Sequence, residues 1–237
     1  MKRLYVYLMR TLRAIFRTFG LLSYLERRGE TSPFSRWLRS LFAIYDIDDL
    51  IKLDLPWWTL EATEFVECFL KANPGARVFE YGSGASSFWL ARRGADVTSV
   101  EHDADWFKEV ATRAKAYANI ELKLVPPTDL GGRKGPGEYG SGRAGYEGKS
   151  FETYVRTIET SGGRFDLIVI DGRARSMCLR TALTQLTENG LILFDNAARA
   201  RYQAAINEVG LNCKQFKGLA ACLPYRDATY VFSESKQ

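Results

Sequence analysis

The stretch Val78-Phe79-Glu80-Tyr81-Gly82-Ser83-Gly84-Ala85-Ser86 decides the fold class of this chain. Its first half predicts a buried strand, Arg77–Tyr81, and its second half turns through two glycines into a helix over 86–93. Glycine permits a tight turn and lets a ligand approach the backbone closely. The free N–H groups of a helix that starts there face the same crevice. The stretch therefore predicts a strand–turn–helix unit that binds a ligand.

A second acidic residue supports this interpretation. The next predicted strand, Asp96–Glu101, ends in Glu101. In nucleotide-binding α/β units, a carboxylate at the end of the second strand accepts hydrogen bonds from ribose hydroxyls. Glu101 is therefore the predicted ribose ligand.

The rest of the chain alternates predicted strands and helices, which indicates parallel βαβ units in a doubly wound α/β sheet. The last two predicted strands, 213–216 and 228–233, have no long helix between them, so we expect an antiparallel pair at one edge. A helix over Leu60–Ala72, with Thr59 as its N-cap, opens this domain. The predicted organisation is an N-terminal helix and helical connector over 1–59, followed by an α/β domain over 60–237.

Residues 2–19 predict a cationic amphipathic helix. On a helical wheel the apolar side chains, Leu4, Tyr5, Leu8, Leu12, Ile15, Phe16 and Phe19, lie opposite Lys2, Arg3, Arg10, Arg13 and Arg17. Such a helix can lie on the inner face of an anionic membrane. It can equally pack its apolar face on the domain or on a second copy in a homodimer. The sequence leaves these alternatives open.

Composition narrows the function classes. The net charge is +5, a mild excess, and the four cysteines show no C-x-x-C spacing. Together with the single histidine, this disfavours zinc and disulfide frameworks and predicts a cytoplasmic protein with reduced thiols. Arginines interrupt the apolar N-terminal run, which speaks against a membrane span or a secretory signal. Aromatic residues are spread over predicted core faces, so we expect no nucleic-acid partner.

The glycine motif together with Val100-Glu101-His102-Asp103 resembles the first motifs of class I S-adenosylmethionine-dependent methyltransferases, over roughly residues 76–233. The resemblance implies a seven-stranded, mostly parallel sheet whose last strand is reversed. It also implies S-adenosylmethionine as cofactor, with its methionine part lined by Glu80, Gly82 and Gly84, its ribose held by Glu101, and its adenine near His102 and the 126–129 segment, which ends in Asp129. Ser86 replaces the third glycine of the family pattern and is counted with these cofactor-binding residues.

Two further predicted strands end in polar residues at the same edge of the sheet. One is followed by Asp171-Gly172-Arg173 and the other by Asp195-Asn196. Asp171, Asp195 and Asn196 resemble the metal triad of catechol-type O-methyltransferases, which implies Mg²⁺. Alternatively, Asp171 binds cofactor or substrate while Asp195 and Asn196 cap a helix. Ala174 stands where that family has its catalytic lysine.

Candidate catalytic residues surround the same strand end. Asp171 could orient or deprotonate the methyl acceptor. Arg173 and Arg175 could clamp an acidic substrate or the cofactor carboxylate, or they could be a solvated pair near a helix start, where positive charge is unfavourable. The glycine-rich segment 129–150, with Tyr139 and Tyr146, predicts a loop over the strand ends that could act as a lid.

Three functions remain open from the sequence. The first is methyl transfer to a small-molecule or glycoconjugate acceptor, with oxygen as the expected target atom. The second is an NAD-dependent oxidoreductase or epimerase, disfavoured because Ser87 stands where its motif requires glycine. The third is a non-catalytic module that docks on a membrane or a partner. Trp57-Trp58 and Asp171-Gly172-Arg173 also resemble poorly characterised bacterial methyltransferase-like proteins.

Overall fold

The protein is described here by a computed structural model that covers residues 2–131 and 137–234. The helices are α1 Lys2–Thr18, α2 Leu21–Gly29, α3 Pro33–Leu41, α4 Ile47–Leu53, α5 Leu60–Ala72, α6 Ala85–Arg92, α7 Ala104–Ala114, α8 Glu152–Arg156, α9 Arg175–Gln185 and α10 Gln203–Asn207. The strands are β1 Arg77–Tyr81, β2 Asp96–Glu101, β3 Ile120–Leu124, β4 Thr128–Asp129, β5 Lys149–Ser150, β6 Phe165–Ile170, β7 Leu186–Asp195, β8 Asn212–Leu219 and β9 Arg226–Ser233.

Seven strands form one sheet in the order β3-β2-β1-β6-β7-β9-β8. The first five are parallel, whereas β9 runs antiparallel to both β7 and β8. The predicted fold class is therefore confirmed, including the antiparallel edge. In this order the carboxyl ends of β2, β1, β6 and β7 lie side by side, which is where open α/β sheets bind ligands.

Side chains that alternate along the parallel strands build a core on each face of the sheet. Phe79, Tyr81 and Ile170 point to the face covered by α8, α9 and α10, whereas Val78 and Leu167 point to the face covered by α5 and α6. All of these side chains are fully buried. Because the side-chain period of a strand is two, this alternation fixes which face each residue takes.

The N-terminal helices pack on the sheet domain. Met9 of α1 and Leu22 of α2 are buried in one cluster with Ala85 and Cys222 of the α/β domain. Arg13, predicted to lie on the solvent-facing side of α1, contacts Asp46 and Asp49. Only some of the predicted apolar side chains of α1 are covered. Leu12 and Phe16 pack on this cluster, whereas Leu8, Ile15 and Phe19 are exposed.

The side chains of residues 2–6 and 10 lie outside the described part, so the structure does not test the complete predicted apolar face. Within the described ranges, no helix combines the length and apolar character needed to cross a membrane.

Several predicted boundaries need correction. The helix over Leu60–Ala72 and the strands Arg77–Tyr81 and Asp96–Glu101 are as predicted. Thr59 does precede α5, but its side chain makes no capping hydrogen bond. The helix predicted over 86–93 is α6, Ala85–Arg92, and the strands predicted over 213–216 and 228–233 are the longer β8 and β9. Helix α8 is followed by a 3₁₀ turn, Thr157–Thr160. The sequence analysis missed α2, α4 and the β4–β5 hairpin.

Candidate active site

The turn after β1 is built on the contact of two glycines. Gly82 has φ +97°, a conformation that side chains rarely adopt, and a Cβ there would lie 2.9 Å from the Cα of Gly172. Gly172 follows β6, and its own Cβ would overlap the Tyr154 hydroxyl, at 1.9 Å. Glycine at both positions therefore lets the ends of β1 and β6 approach each other at the centre of the site.

Glu80 lies beneath this turn, not in the cavity as expected. Its carboxylate is fully buried and accepts hydrogen bonds from the hydroxyls of Ser86 (2.5 Å), Ser87 and Ser99 (2.7 Å). Ser87 Oγ also accepts from Gly84 N, at 3.1 Å. Since the three hydroxyls surround the carboxylate, Glu80 holds the turn and the start of α6 in place. The expectation that it lines the cofactor needs correction.

Because the Glu80 carboxyl is buried, we expect the free energy of unfolding to depend on pH. Burial raises the pKa of Glu80 to about 7, although the serine hydroxyls oppose the rise. The folded state then binds the Glu80 proton more tightly than the unfolded state, so stability falls as pH rises from about 4.5 to above 7. We expect Glu80→Gln to remove about 3 kcal/mol of this decline in urea unfolding between pH 5 and pH 8. A Glu80→Gln profile parallel to that of the wild type would contradict the assignment.

Glu101 holds the glycine turn from the side of β2. One carboxylate oxygen accepts from the N–H and the hydroxyl of Ser83, each at 3.2 Å, and the other accepts from the N–H groups of His102 (2.7 Å) and Asp103 (2.9 Å). His102 Nε2 accepts from Arg173 Nε at 3.2 Å, so the ring proton is on Nδ1, which lies 2.7 Å from Glu101 Oε1. Glu101 thus ties the glycine turn to the segment after β2.

A cavity of about 710 Å³ lies over the carboxyl ends of the parallel strands. It brings together most of the predicted site residues: Gly82, Gly84, Ser86, Glu101, His102, Asp171, Arg173, Arg175, Asp195 and Asn196. Glu80 and Asp129 are not among its lining residues. Asp129 is exposed in the β4–β5 hairpin, where its carboxylate accepts from Gly131 N, so the structure does not place it at the adenine position.

Sequence reasoning missed several residues of the cavity wall. Trp106 of α7 donates from Nε1 to the carbonyl of Ser83, at 2.8 Å, and closes the cavity beside the glycine turn. The other missed residues are Tyr45, Ile47, Leu50, Trp57, Arg143, Arg199, Arg201, Leu223 and Tyr225. Trp57-Trp58 stands out in the sequence only through the resemblance given above, because no local pattern links it to strand ends more than a hundred residues away.

The expected Mg²⁺ site does not fit the observed geometry. Arg175 extends between the two carboxylates: its Nη2 lies 2.6 Å from Asp171 Oδ1, and its Nη1 lies 3.9 Å from Asp195 Oδ2. Asn196 donates from its amide to Asp227, at 2.8 Å. A cation between the carboxylates would meet the guanidinium. Within residues 2–131 and 137–234, no group of three or more His, Cys, Asp and Glu side chains could hold a metal ion.

The carboxyl groups of Asp171 and Asp195 have different surroundings. Burial raises the pKa of Asp171, opposed by the charges of Arg175 and Arg173. Burial and the charge of Asp171 raise the pKa of Asp195 well above its usual range, and Thr229 donates to its Oδ1 at 2.8 Å. Arg175 contacts Asp171 directly but approaches Asp195 only to 3.9 Å, so its charge favours the ionised form of Asp171 more than that of Asp195.

Residues 137–150 of the glycine-rich segment pack against the site. Tyr146 stacks near His102, with ring centroids 5.5 Å apart, and Phe151 N donates to the carbonyl of Tyr139. Gly142 and Arg143 line the cavity. This part of the predicted loop forms cavity wall, whereas residues 132–136 lie outside the described ranges.

Comparison with known proteins identifies the fold. No protein-family model matches the chain, and a search of curated proteins finds no match. A candidate O-methyltransferase from Klebsiella pneumoniae is 18% identical, with a TM-score of 0.56, over 80% of this chain and 90% of that chain. The cofactor-bound protein Rv0187 from MTB is 18% identical, with a TM-score of 0.54, over 82% and 90%. The chain has the class I methyltransferase fold.

The solved structures that match this chain include a protein named as an rRNA methyltransferase, which corrects one expectation. The T. thermophilus 16S rRNA N2 G1207 methyltransferase (RsmC), in complex with AdoMet and guanosine, matches 74% of this chain and 42% of its own. It is 17% identical, with a TM-score of 0.48. The sequence-based exclusion of nucleic acid as a partner is therefore wrong, and the fold leaves the acceptor class open.

Proposed function

We propose that this protein is an S-adenosylmethionine-dependent methyltransferase that transfers the methyl group to a hydroxyl oxygen of a small-molecule or glycoconjugate acceptor. The observation that carries the proposal is the position of the Gly82–Ser86 turn, Glu101 and Asp171 in one cavity. A glycine turn at the end of β1 and a carboxylate at the end of β2 suit a nucleoside ligand. The adjacent end of β6 then supplies a carboxylate beside the reacting group.

The cavity divides into two halves along the sheet. The half over β1 and β2, closed by Trp106, suits the cofactor, with Glu101 as partner of the ribose hydroxyls. Each Glu101 oxygen accepts two hydrogen bonds from the protein, so the ribose would share a carboxylate whose position is already fixed. The half over β6 and β7 suits the acceptor. Its aromatic roof is Tyr45, Trp57 and Tyr225, together with Leu223.

Methyl transfer is a displacement at the sulfonium methyl carbon, so the protein's main task is to align the acceptor oxygen with that carbon. Asp171 lies where the two halves meet, and its carboxyl group pairs with Arg175. We assign Asp171 to bind the acceptor hydroxyl and accept its proton as the oxygen–carbon bond forms. Arg173, fixed by His102, lies between the two halves and orients the acceptor.

Cofactor binding tests the proposal. We expect calorimetry to show micromolar binding of S-adenosylmethionine to the wild-type protein, and Glu101→Gln to weaken it at least about 100-fold. The amide nitrogen of glutamine would face backbone N–H donors. The donors on that side of the side chain would then have no acceptor. The matched control is Glu121→Gln, on the exposed face of neighbouring β3, and it should bind like the wild type.

NAD serves as the competitor in the same titration. Binding of NAD without binding of S-adenosylmethionine would overturn the proposed function in favour of the oxidoreductase alternative. Binding of neither, by a folded protein, would favour the non-catalytic module. Binding of S-adenosylmethionine that is equally strong in Glu101→Gln would contradict the assigned role of Glu101.

A further inference from the structure

Four arginines of the cavity wall have no carboxylate within ion-pairing distance among the described residues. Arg143, Arg173, Arg199 and Arg201 all line the cavity, and none makes an ion pair with any described residue. Arg175 differs from them, because it is paired with Asp171. Guanidinium groups in folded proteins bind carboxylates or phosphates bidentately, so a group of them beside a cavity indicates an anionic ligand.

Three of these arginines surround a smaller recess. A side pocket of about 180 Å³ is lined by Arg143, Arg173 and Arg201, together with Ser141 and Ser176. It shares Gly142, Gly172, these three arginines and the paired Arg175 with the main cavity, so the two are continuous. A ligand group in the side pocket would therefore remain attached to a molecule in the acceptor half.

Contacts with neighbours hold two of the guanidinium groups in position. Arg201 donates from Nη2 to the Tyr202 hydroxyl at 3.0 Å, and its guanidinium carbon lies 4.8 Å from the centre of that ring. A Cβ on Gly142 would lie 3.7 Å from Arg201 Nη1, which places the loop residue before Arg143 against Arg201. Arg173 is held through Nε by His102. Side chains fixed in this way lose little freedom when a ligand binds.

The charge balance of the side pocket favours a dianion. Glu138, the one carboxylate among the described residues of its wall, is paired with Arg180 at 2.8 Å. Burial, and then the nearby charges of Arg143 and Arg175, lower the pKa of Arg173. A phosphate monoester carries a charge of about −1.5 to −2 at neutral pH and presents three acceptor oxygens. A carboxylate or a phosphodiester carries about one charge and leaves more of the cluster uncompensated.

We propose that the side pocket lined by Arg143, Arg173 and Arg201 binds a phosphate monoester group of the acceptor. The assignment rests on the proposed methyl transfer only in naming the phosphate-bearing molecule as the acceptor. In that molecule the phosphate would anchor one end in the side pocket, while the body lies under the aromatic roof and its hydroxyl reaches Asp171.

Phenyl phosphate is a suitable probe, because it joins an aromatic body to a phosphate monoester. We expect calorimetry without cofactor to show that it binds the wild-type protein at least tenfold more tightly than methyl phenyl phosphate, the diester, and than benzoate. The double variant Arg143→Gln/Arg201→Gln should lose at least tenfold in affinity for phenyl phosphate. Arg164→Gln removes one exposed charge at the opposite end of β6 and should bind like the wild type.

S-adenosylmethionine binding is measured separately on the same proteins, and we expect the double variant to retain it. Tight phenyl phosphate binding without S-adenosylmethionine binding would overturn the methyltransferase proposal but keep the phosphate site. Equal binding of monoester, diester and benzoate would overturn the phosphate assignment, as would a double variant that binds phenyl phosphate like Arg164→Gln. Each result therefore bears on one of the two proposals by itself.

Discussion

Gly172→Ala should destabilise the protein by about 3 kcal/mol or more, the amount expected when an added methyl overlaps rigid neighbours in a packed core. The new Cβ would lie 1.9 Å from the Tyr154 hydroxyl oxygen and 3.0 Å from the carbonyl oxygen of Tyr81. Tyr154 is fully buried among aromatic rings, including Tyr81 at 5.6 Å, so it has little room to move. Urea unfolding of the purified variant measures the loss.

A double-mutant cycle with Tyr154→Phe identifies the cause. Removing the hydroxyl relieves the 1.9 Å overlap but leaves the ring carbon that bore it 3.0 Å from the new Cβ. Gly172→Ala should therefore cost less in the Tyr154→Phe background, with a coupling of about 1 kcal/mol or more. Additive effects of the two substitutions would show that the overlap with Tyr154 is not the source of the loss.

Gly84→Ala is the matched control on the same glycine-rich turn. Gly84 is extended, with φ 172°, and a Cβ there would meet nothing closer than Trp106, at 4.0 Å. Its expected stability loss is below about 1 kcal/mol, the usual cost of alanine at a helix N-cap. A loss as large as that of Gly172→Ala would mean that any side chain on this turn is destabilising, whatever it contacts.

The sheet could be predicted from the sequence because the residue patterns that mark strands and turns are local. Apolar runs mark the buried strands, and the glycine turn after Tyr81 needs only neighbouring residues to be recognised. The acids at strand ends could be placed on one edge because parallel βαβ connections require it. This reasoning places Gly82, Glu101, Asp171 and Asp195 at one edge of the sheet, and all four line the cavity.

The sequence could not show where buried side chains point. Glu80 was expected in the cavity, but the hydroxyls of Ser86, Ser87 and Ser99 draw its carboxylate beneath the turn, and Ser99 is on the next strand. Similarly, the three oxygen-bearing residues expected to hold Mg²⁺ were judged without Arg175, whose long side chain reaches between them. Such contacts depend on tertiary packing, which spacing along the chain does not encode.

The helical N-terminal layer was the least predictable part. Within it, Arg39 is buried at 3% exposure and pairs with Asp49 and Glu26. A sequence pattern assigns an arginine on a short helix to solvent, because burial of a charge is favourable only with partners distant in sequence. The roof residues Tyr45 and Trp57 were not recognised as cavity wall because the strand ends beside them are also distant in sequence.

Arg175→Met should also cost about 3–5 kcal/mol, because it leaves buried groups without their partner. The guanidinium donates to the carbonyls of Asp171 (2.8 Å), Gly172 (3.0 Å) and Asp195 (2.6 Å), as well as to the Asp171 carboxylate. Methionine fills part of the volume but supplies no donor. The control is Arg180→Met on the same helix, whose half-exposed pairs with Glu138 and Glu208 are worth at most about 1 kcal/mol each.

The pH dependence separates lost charge compensation from lost packing. Without Arg175, the pKa of Asp171 should rise further above its value of 3.8 in the unfolded chain, since burial then acts with less opposition. An acid whose pKa is raised in the folded state destabilises the fold only where it is ionised. The difference between wild type and Arg175→Met should therefore be smallest near pH 4 and grow as pH rises through the raised pKa.

Asp171→Asn in the Arg175→Met background completes the test, because it removes the uncompensated charge and keeps the shape. We expect the double variant to be more stable than Arg175→Met at pH 8, with a difference from wild type that no longer grows with pH. If the second substitution adds a further loss instead, Asp171 does not carry the charge that Arg175 compensates. The guanidinium would then be needed for its bonds to the three backbone carbonyls, and Asp171 would lose its support as the group that accepts the acceptor's proton.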